Sequence, residues 1–317
     1  MPSVAICLRV GLRSVTLKYM RRKFLCGLAA ALWGPALVAQ PVPARDLWQF
    51  PLGAVLEPAV LAAEGGTGHW NPANVAMPAN SRLRVGVAWL PAAANQGVDG
   101  QLIGVAWRRA SGTTVGLSVA RSAVNGLIRT DTDPTSIGTI NYNSTVVSAT
   151  VARRVIPHLT LGVAARYREG RTDELTRSAI AGDLGVIIDS LGKHHIRFAM
   201  SSFLWRPGQE RDDRPIFLAG VDARLVTRPK FPDVRLGYMR NAISGGAREH
   251  GPFLSARSGA LELQTALVVT TVYGDRDLRA RTGLALHFAQ YAVGIGREEG
   301  VGGLQPLYQF TLSSLVK

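Results

Sequence analysis

The sequence predicts an all-β fold: a transmembrane, antiparallel, up-and-down β-barrel of 12 to 14 strands, fourteen favoured, with a short N-terminal plug-like segment. Three observations predict it. A basic, then apolar, then small-residue stretch near the start has the layout of an export signal. From Ser81 onward, apolar and polar residues alternate over segments of about ten, as they do in strands with lipid on one side. The connections between those segments alternate in length, tight on one side and longer on the other.

Composition agrees with this class. Charged residues make up 18% of the chain, below the ~25% of ordinary globular proteins. The 36 Lys and Arg outnumber 22 Asp and Glu, for a formal net charge of +14, which favours an anionic counterpart. Nucleic acid is not that counterpart, because its binders gather their basic residues on one patch or helix. Here arginines are scattered singly through alternating segments from Arg82 to Arg297, which suits a lined interior. Cysteine occurs only at Cys7 and Cys26, so the chain beyond the signal has no disulfide framework and no thiolate metal site.

Residues 1–19 read as an extension from a start codon placed too early. Residues 20–39 read as the signal peptide: Arg21, Arg22 and Lys23 precede an apolar run from Phe24 to Val38, with cleavage expected after Ala39 rather than Ala44. That run is short for a bilayer-spanning helix, which takes ~20 residues. Residues 40–80 form the N-terminal plug or irregular segment. Pro51, Pro58, Pro72 and Pro78 with Gly65, Gly66 and Gly68 leave room for one short helix.

Residues 81–317 form the barrel. In the first strand Leu83, Val85, Val87 and Trp89 fall on one face, Arg84, Gly86 and Ala88 on the other. The same rule sets Leu159, Leu161, Val163, Ala165 and Tyr167 against Thr160, Gly162, Ala164, Arg166 and Arg168. It recurs with Leu261, Leu263 and Leu267 against Glu262, Gln264 and Ala266. Further strands are expected over Gln101 to Arg109, Thr113 to Arg121, Asn143 to Val155, Arg177 to Asp189, His194 to Leu204, Pro215 to Thr227 and Asp233 to Asn241. The last four are Pro252 to Arg257, Leu278 to His287, Phe288 to Arg297 and Leu307 to Val316. Tight connections fall at Ala110–Gly112, Ile156–Pro157 and Ser190–Lys193; longer ones at Ser122–Tyr142, Gly170–Thr176 and Trp205–Arg214. Trp89, Trp107, Tyr167, Trp205, Tyr238, Tyr291, Tyr308 and Phe310 lie near strand ends, where interfacial girdles sit. A soluble sandwich would fill its second face with large core residues, whereas this face holds Gly, Ala, Ser, Thr and Arg.

Just before the first strand, Trp70-Asn71-Pro72-Ala73 follows a glycine-rich stretch. This resembles the N-terminal motif of the FadL-type hydrophobic-compound transporters and their PorV/PorQ-like relatives, fourteen-stranded outer-membrane barrels. The resemblance implies that residues 46–80 fold into the barrel as a plug, and that the protein resides in the bacterial cell outer membrane. In that setting Asn71 would satisfy plug backbone groups and Pro72 would fix a turn.

No catalytic, cofactor-binding or metal-binding residue is expected. His69, His158, His194, His195, His250 and His287 stand in no recognisable hydrolase signature, and His194-His195 would point to opposite strand faces. Gly65-Gly66-Thr67-Gly68 lacks the Lys-Ser or Lys-Thr of a phosphate loop. Glu210, Asp212 and Asp213 are interleaved with Arg206, Arg211 and Arg214, an ion-pair loop rather than a cation site. The informative residues are the inward-facing basic ones: Arg84, Arg166, Arg168, Arg197, Arg235, Arg279 and Arg281, with Arg224 beside them. In an open barrel they line an anion-favouring lumen; in a plugged one they pair with Asp183, Asp222, Glu262 and plug carbonyls. Two functions follow, each with outer-membrane lipid as surroundings: passive uptake of small hydrophobic or anionic compounds, or a non-conducting secretion- or surface-associated barrel that docks exported proteins.

Overall fold

The computed structural model describes residues 41–63, 67–92, 97–132, 135–206, 215–226, 231–242, 248–272, 275–299 and 306–317. The expected signal peptide, both cysteines, Gly65, Gly66 and the Glu210–Asp213 group lie outside the described residues.

The strands in chain order are β1 Leu83–Leu90, β2 Gly97–Arg108, β3 Thr113–Asn125, β4 Ile128–Thr130, β5 Ser136–Thr139, β6 Tyr142–Ile156, β7 Leu159–Thr172 and β8 Leu175–Leu191. They continue as β9 Ile196–Phe203, β10 Ile216–Arg224, β11 Asp233–Ala242, β12 Arg248–Ser258, β13 Leu261–Val272, β14 Asp275–Phe288, β15 Tyr291–Glu298 and β16 Leu307–Val316. Strands β4 and β5 form a separate two-stranded ribbon in the β3–β6 connection, and the other fourteen make one closed antiparallel barrel in which chain neighbours pair. Closure comes from β1 against β16, in register from Leu83↔Val316 to Trp89↔Phe310. Closing the sheet leaves no edge with unpaired backbone groups.

All fourteen expected barrel strands are present, with four local corrections. The connection expected to be long over Gly170–Thr176 is a two-residue turn at Asp173–Glu174, because β7 and β8 pair as far as Thr172↔Leu175. His194 and His195 sit in the β8–β9 turn rather than on a strand; His195 has a φ of 45° there, and the His194 ring meets the Arg224 carbonyl at 3.1 Å. Phe288 ends β14 instead of opening β15, because Ala289, at a φ of 50°, makes the tight turn with Gln290. The short stretch around Pro252 is a full strand of 11 residues. The β12–β13 register skips Gly251 and Pro252, where the proline has no N–H to give the ladder. The single short helix expected in residues 40–80 is two 3-10 turns, Asp46–Gln49 and Pro72–Val75.

Side-chain alternation sorts the wall into two surfaces. Outward positions are large and apolar: Ile103 is 56% exposed, Leu184 64% and Leu278 63%. Inward positions are small or polar, and they are buried because residues 41–63 and 67–77 occupy the lumen. One continuous core joins Trp48, Leu52, Val60, Leu61 and Trp70 of that segment to Ala88 of β1, Leu102 of β2, Val146 of β6, Phe203 of β9, Phe253 of β12 and Val268 of β13. Glycine takes the wall positions of closest approach. A Cβ on Gly162 or Gly185 would come within 3.0 Å of Pro72 and Ala73 backbone or ring atoms, and one on Gly283 would meet the Val55 carbonyl as closely.

Candidate functional site in the barrel lumen

The lumen is organised by the segment that fills it. Asn71 takes the extended conformation before the second 3-10 turn; its side-chain oxygen accepts from the Ala73 N–H at 3.0 Å and its amide donates to the Val60 carbonyl at 2.9 Å. Pro72 opens the turn, where a missing N–H costs nothing. Asn74 donates to the carbonyls of Val60 (2.9 Å) and Ala62 (3.1 Å). Trp70 donates through Nε1 to the Leu52 carbonyl at 2.8 Å. These bonds fold residues 52–74 onto themselves and satisfy backbone groups that no water reaches.

Bonds from the wall then fix this unit. Ser201 donates to the Trp70 carbonyl at 2.8 Å, Trp48 Nε1 donates to Ser144 at 3.0 Å, and the Gly53 N–H donates to Gln309 at 3.1 Å. Trp48, His69, Trp70 and Phe203 form an aromatic cluster, with the Trp70–Phe203 ring centroids 4.8 Å apart and those of His69–Trp70 5.0 Å apart in an edge arrangement. Burial first, and the Arg166 charge second, hold the His69 imidazole well below its ordinary value of 6.5. Neither of its ring nitrogens has a hydrogen-bond partner.

All seven inward arginines singled out from the sequence reach partners. Arg84 donates to the carbonyls of Ala63 (3.1 Å) and Asn74 (2.9 Å). Arg168 donates to those of Val42 (2.9 Å) and Pro43 (2.8 Å). Arg166, fully buried, pairs with Asp183, donates to Ser148 at 2.7 Å and to the His69 carbonyl at 2.5 Å, and lies 4.6 Å over the Phe203 ring. Arg197 bridges Glu57 (2.6 Å) and Asp222 (2.5 Å), and Arg235 shares Asp222 at 2.5 Å. Arg279 and Arg281 converge on Glu298 at 2.7 and 3.0 Å, and Arg281 also reaches Glu249 at 2.9 Å.

Asp183 and Asp222 thus pair with inward arginines singled out from the sequence. Glu262 does not: it pairs with His287 at 2.8 Å and approaches Arg257 at 3.8 Å. Sequence reasoning missed Glu57, Glu249 and Glu298. For Glu298 a signal existed, since it lies directly opposite Arg281 in the β14–β15 register; Glu57 lies in irregular chain with no periodicity to reveal it.

Space remains on one side. A cavity of about 240 Å³ is lined by Val55, Leu56 and Ala62 of the segment, by Ala285, Ala292 and Thr311 of the wall, and by Glu57, Arg197, Arg257 and Glu262. The same four charged residues line a neighbouring cavity of about 320 Å³ beside the β8–β9 turn. Among the described residues no cluster of His, Cys, Asp and Glu could hold a metal, and no histidine has a serine hydroxyl as its partner: His158 meets the Asp189 carbonyl, His250 meets Tyr238, and His287 meets Glu262.

A closed, fully paired barrel with an apolar exterior defines the class: this is a transmembrane antiparallel β-barrel of fourteen strands with a segment inside. No family model matches the chain, and no curated protein matches it significantly. Solved structures similar to it include a triple mutant of the Rhodopseudomonas blastica porin at 11% identity and a TM-score of 0.40, covering 74% of this chain and 98% of that one. Another is CdiB from Acinetobacter baumannii at 12% identity and a TM-score of 0.44, covering 75% of this chain and 60% of that one.

Proposed function

We propose that this protein is a bacterial outer-membrane barrel whose axial route is closed by its own N-terminal segment, and that it acts as a non-conducting, secretion- or surface-associated barrel that docks exported proteins. The observation that carries the reading is the state of the lumen arginines. An anion pathway needs guanidinium groups presented to water, whereas these are engaged by Asp183, Asp222, Glu249, Glu298, Glu57 and carbonyls of residues 42–74. Anion uptake is accordingly the weakest form of the transport reading. Kinship with the FadL/PorV-like barrels fits this arrangement through the buried Trp70-Asn71-Pro72-Ala73 turn. The reading assigns no covalent chemistry to the protein.

A second reading, passive uptake of small hydrophobic compounds, is favoured by the cavity of about 240 Å³ beside Val55 and Ala62. The two separate in one experiment on heat-modifiable, detergent-extracted protein reconstituted into liposomes. The docking reading expects no passage of ions or hydrophobic dyes and co-purification with an exported partner from intact cells. Dye equilibration without ion conductance would transfer the lead to uptake.

A further inference from the structure

The outer surface of the barrel carries an arrangement that lumen chemistry does not use. Arg121, Arg240, Arg248, Arg276 and Arg297 are exposed, and strand parity places them on the outward face with Val119, Tyr238, His250, Leu278 and Ile295. All five lie toward the end of the barrel that carries the β3–β6, β9–β10 and β15–β16 connections, Arg276 following the two-residue β13–β14 turn. Among the described residues none of them has a carboxylate within ion-pair distance. The outward carboxylates nearby are engaged elsewhere: Glu169 accepts from Tyr167 at 3.3 Å, and Glu299 accepts from the Ala280 N–H at 3.0 Å. The opposite end of the β11–β15 wall presents Leu236, Leu261, Leu286, Phe288 and Tyr291 instead. On the β11–β15 wall the outward charge therefore lies at one end only, which matches it to one leaflet.

Directly beside Arg297 the wall is hollowed. Thr265 and Thr282, paired across β13 and β14, are small residues in a surface of Leu254, Leu263, Leu284 and Ile295, and the depression encloses about 520 Å³, within the ~300–1,000 Å³ of ligand-sized sites. Arg297 and its cross-strand neighbour Tyr308 line its rim. An apolar trough with a guanidinium and a phenol at its end matches one acyl chain and the phosphate above it.

We infer that this groove holds a phosphate-bearing lipid of the leaflet at the long-connection end, its acyl chain over Thr265 and Thr282 and its phosphate on Arg297. Longer connections mark the extracellular side of such barrels, so the ligand is an outer-leaflet lipid. The inference rests on the outer-membrane reading, and its test reads the two separately.

The full chain is first run unheated and heated on a gel, then incorporated into phosphatidylcholine nanodiscs containing a small fraction of diphosphorylated lipid A or of the same lipid with its phosphates removed. Bound lipid is counted by native mass spectrometry. Expected is a preference of about tenfold for the phosphorylated form, the weight of one charge-assisted contact. Arg297→Gln abolishes that preference, Arg297→Lys retains part of it, and Thr282→Phe displaces both lipids by filling the trough. Equal retention of the two lipids by the unaltered chain would overturn the site, and so would dimers that Thr282→Phe disperses, since a second copy would then cover the groove. A missing gel shift would sink the membrane reading itself, and the lipid site with it.

Discussion

Replacing Arg166 by Met should free the N-terminal segment without dismantling the wall. Arg166 and Asp183 are a buried pair whose side chains are both 0% accessible. The substitution keeps an unbranched apolar stem but removes the ion pair, the bonds to Ser148 and the His69 carbonyl, and the contact over Phe203. Asp183 keeps the Trp205 N–H at 3.2 Å but loses its countercharge. Stranding one member of a buried pair costs about 3–5 kcal/mol, roughly a hundred- to several-thousand-fold in the equilibrium between docked and released segment. In proteoliposomes the assay is protease cleavage within residues 41–80, read beside the heat-induced gel shift that reports the wall. Arg166→Met should be cleaved much faster than the unaltered protein while the shift persists. Adding Asp183→Asn removes the stranded charge and should restore much of the protection. Unchanged protection in Arg166→Met, or a double variant no better than the single one, would refute the claim that this pair anchors the segment.

Three further outcomes follow from the same structure. Gly162→Val places side-chain carbons against the Pro72 and Ala73 backbone, which cannot turn aside; it should weaken docking by about 1–3 kcal/mol, seen as faster cleavage of residues 41–80. Ile103→Arg puts a charge on an outward position that is 56% exposed and should cost about 2–4 kcal/mol in denaturant-monitored folding into vesicles, whereas Ile103→Leu should be near neutral. Acid should loosen the segment through His69. Its imidazole is held below 6.5 by burial and by Arg166, so the released state binds the proton more readily, and docking weakens as pH falls from about 6.5 towards the depressed value. His69→Phe should flatten the cleavage rate measured between pH 7.5 and 5.5, a range set around the ordinary histidine value; an unchanged pH slope in that variant would show that another group titrates.

Much of the wall was legible because a barrel strand obeys a local rule. Leu83 to Trp89 and Leu159 to Tyr167 carry their apolar residues at every second position, and the structure turns those residues outward. The rule failed where turns and strands share composition: His194-His195 and Phe288 are acceptable in either, and the tight turns that claimed or excluded them depend on His195 and Ala289 adopting a positive φ. The inward face was legible in part. Its small residues looked like a lumen lining, and they are small where Val55 and Asn71 to Ala73 lie against them, as Gly162, Gly185 and Gly283 demonstrate. Partner choice was less legible. Asp183 and Asp222 share the inward parity of their strands with Arg166 and Arg197, while Glu57 reaches Arg197 across 140 residues of sequence from a stretch with no period. The outward arginines were equally hidden, since their sign of direction is the parity of strands whose ends sequence alone places only to within a few residues.

The most direct test of the central claim is conductance of the heat-modifiable protein in a planar lipid bilayer, before and after Arg166→Met. A barrel closed by its own N-terminal segment leaves the bilayer silent, with current steps appearing only in the variant whose segment is released. Steady, ohmic, anion-selective steps from the unaltered protein would contradict the account, because they would require a water-filled path through a lumen closed by the N-terminal segment and seven engaged arginines.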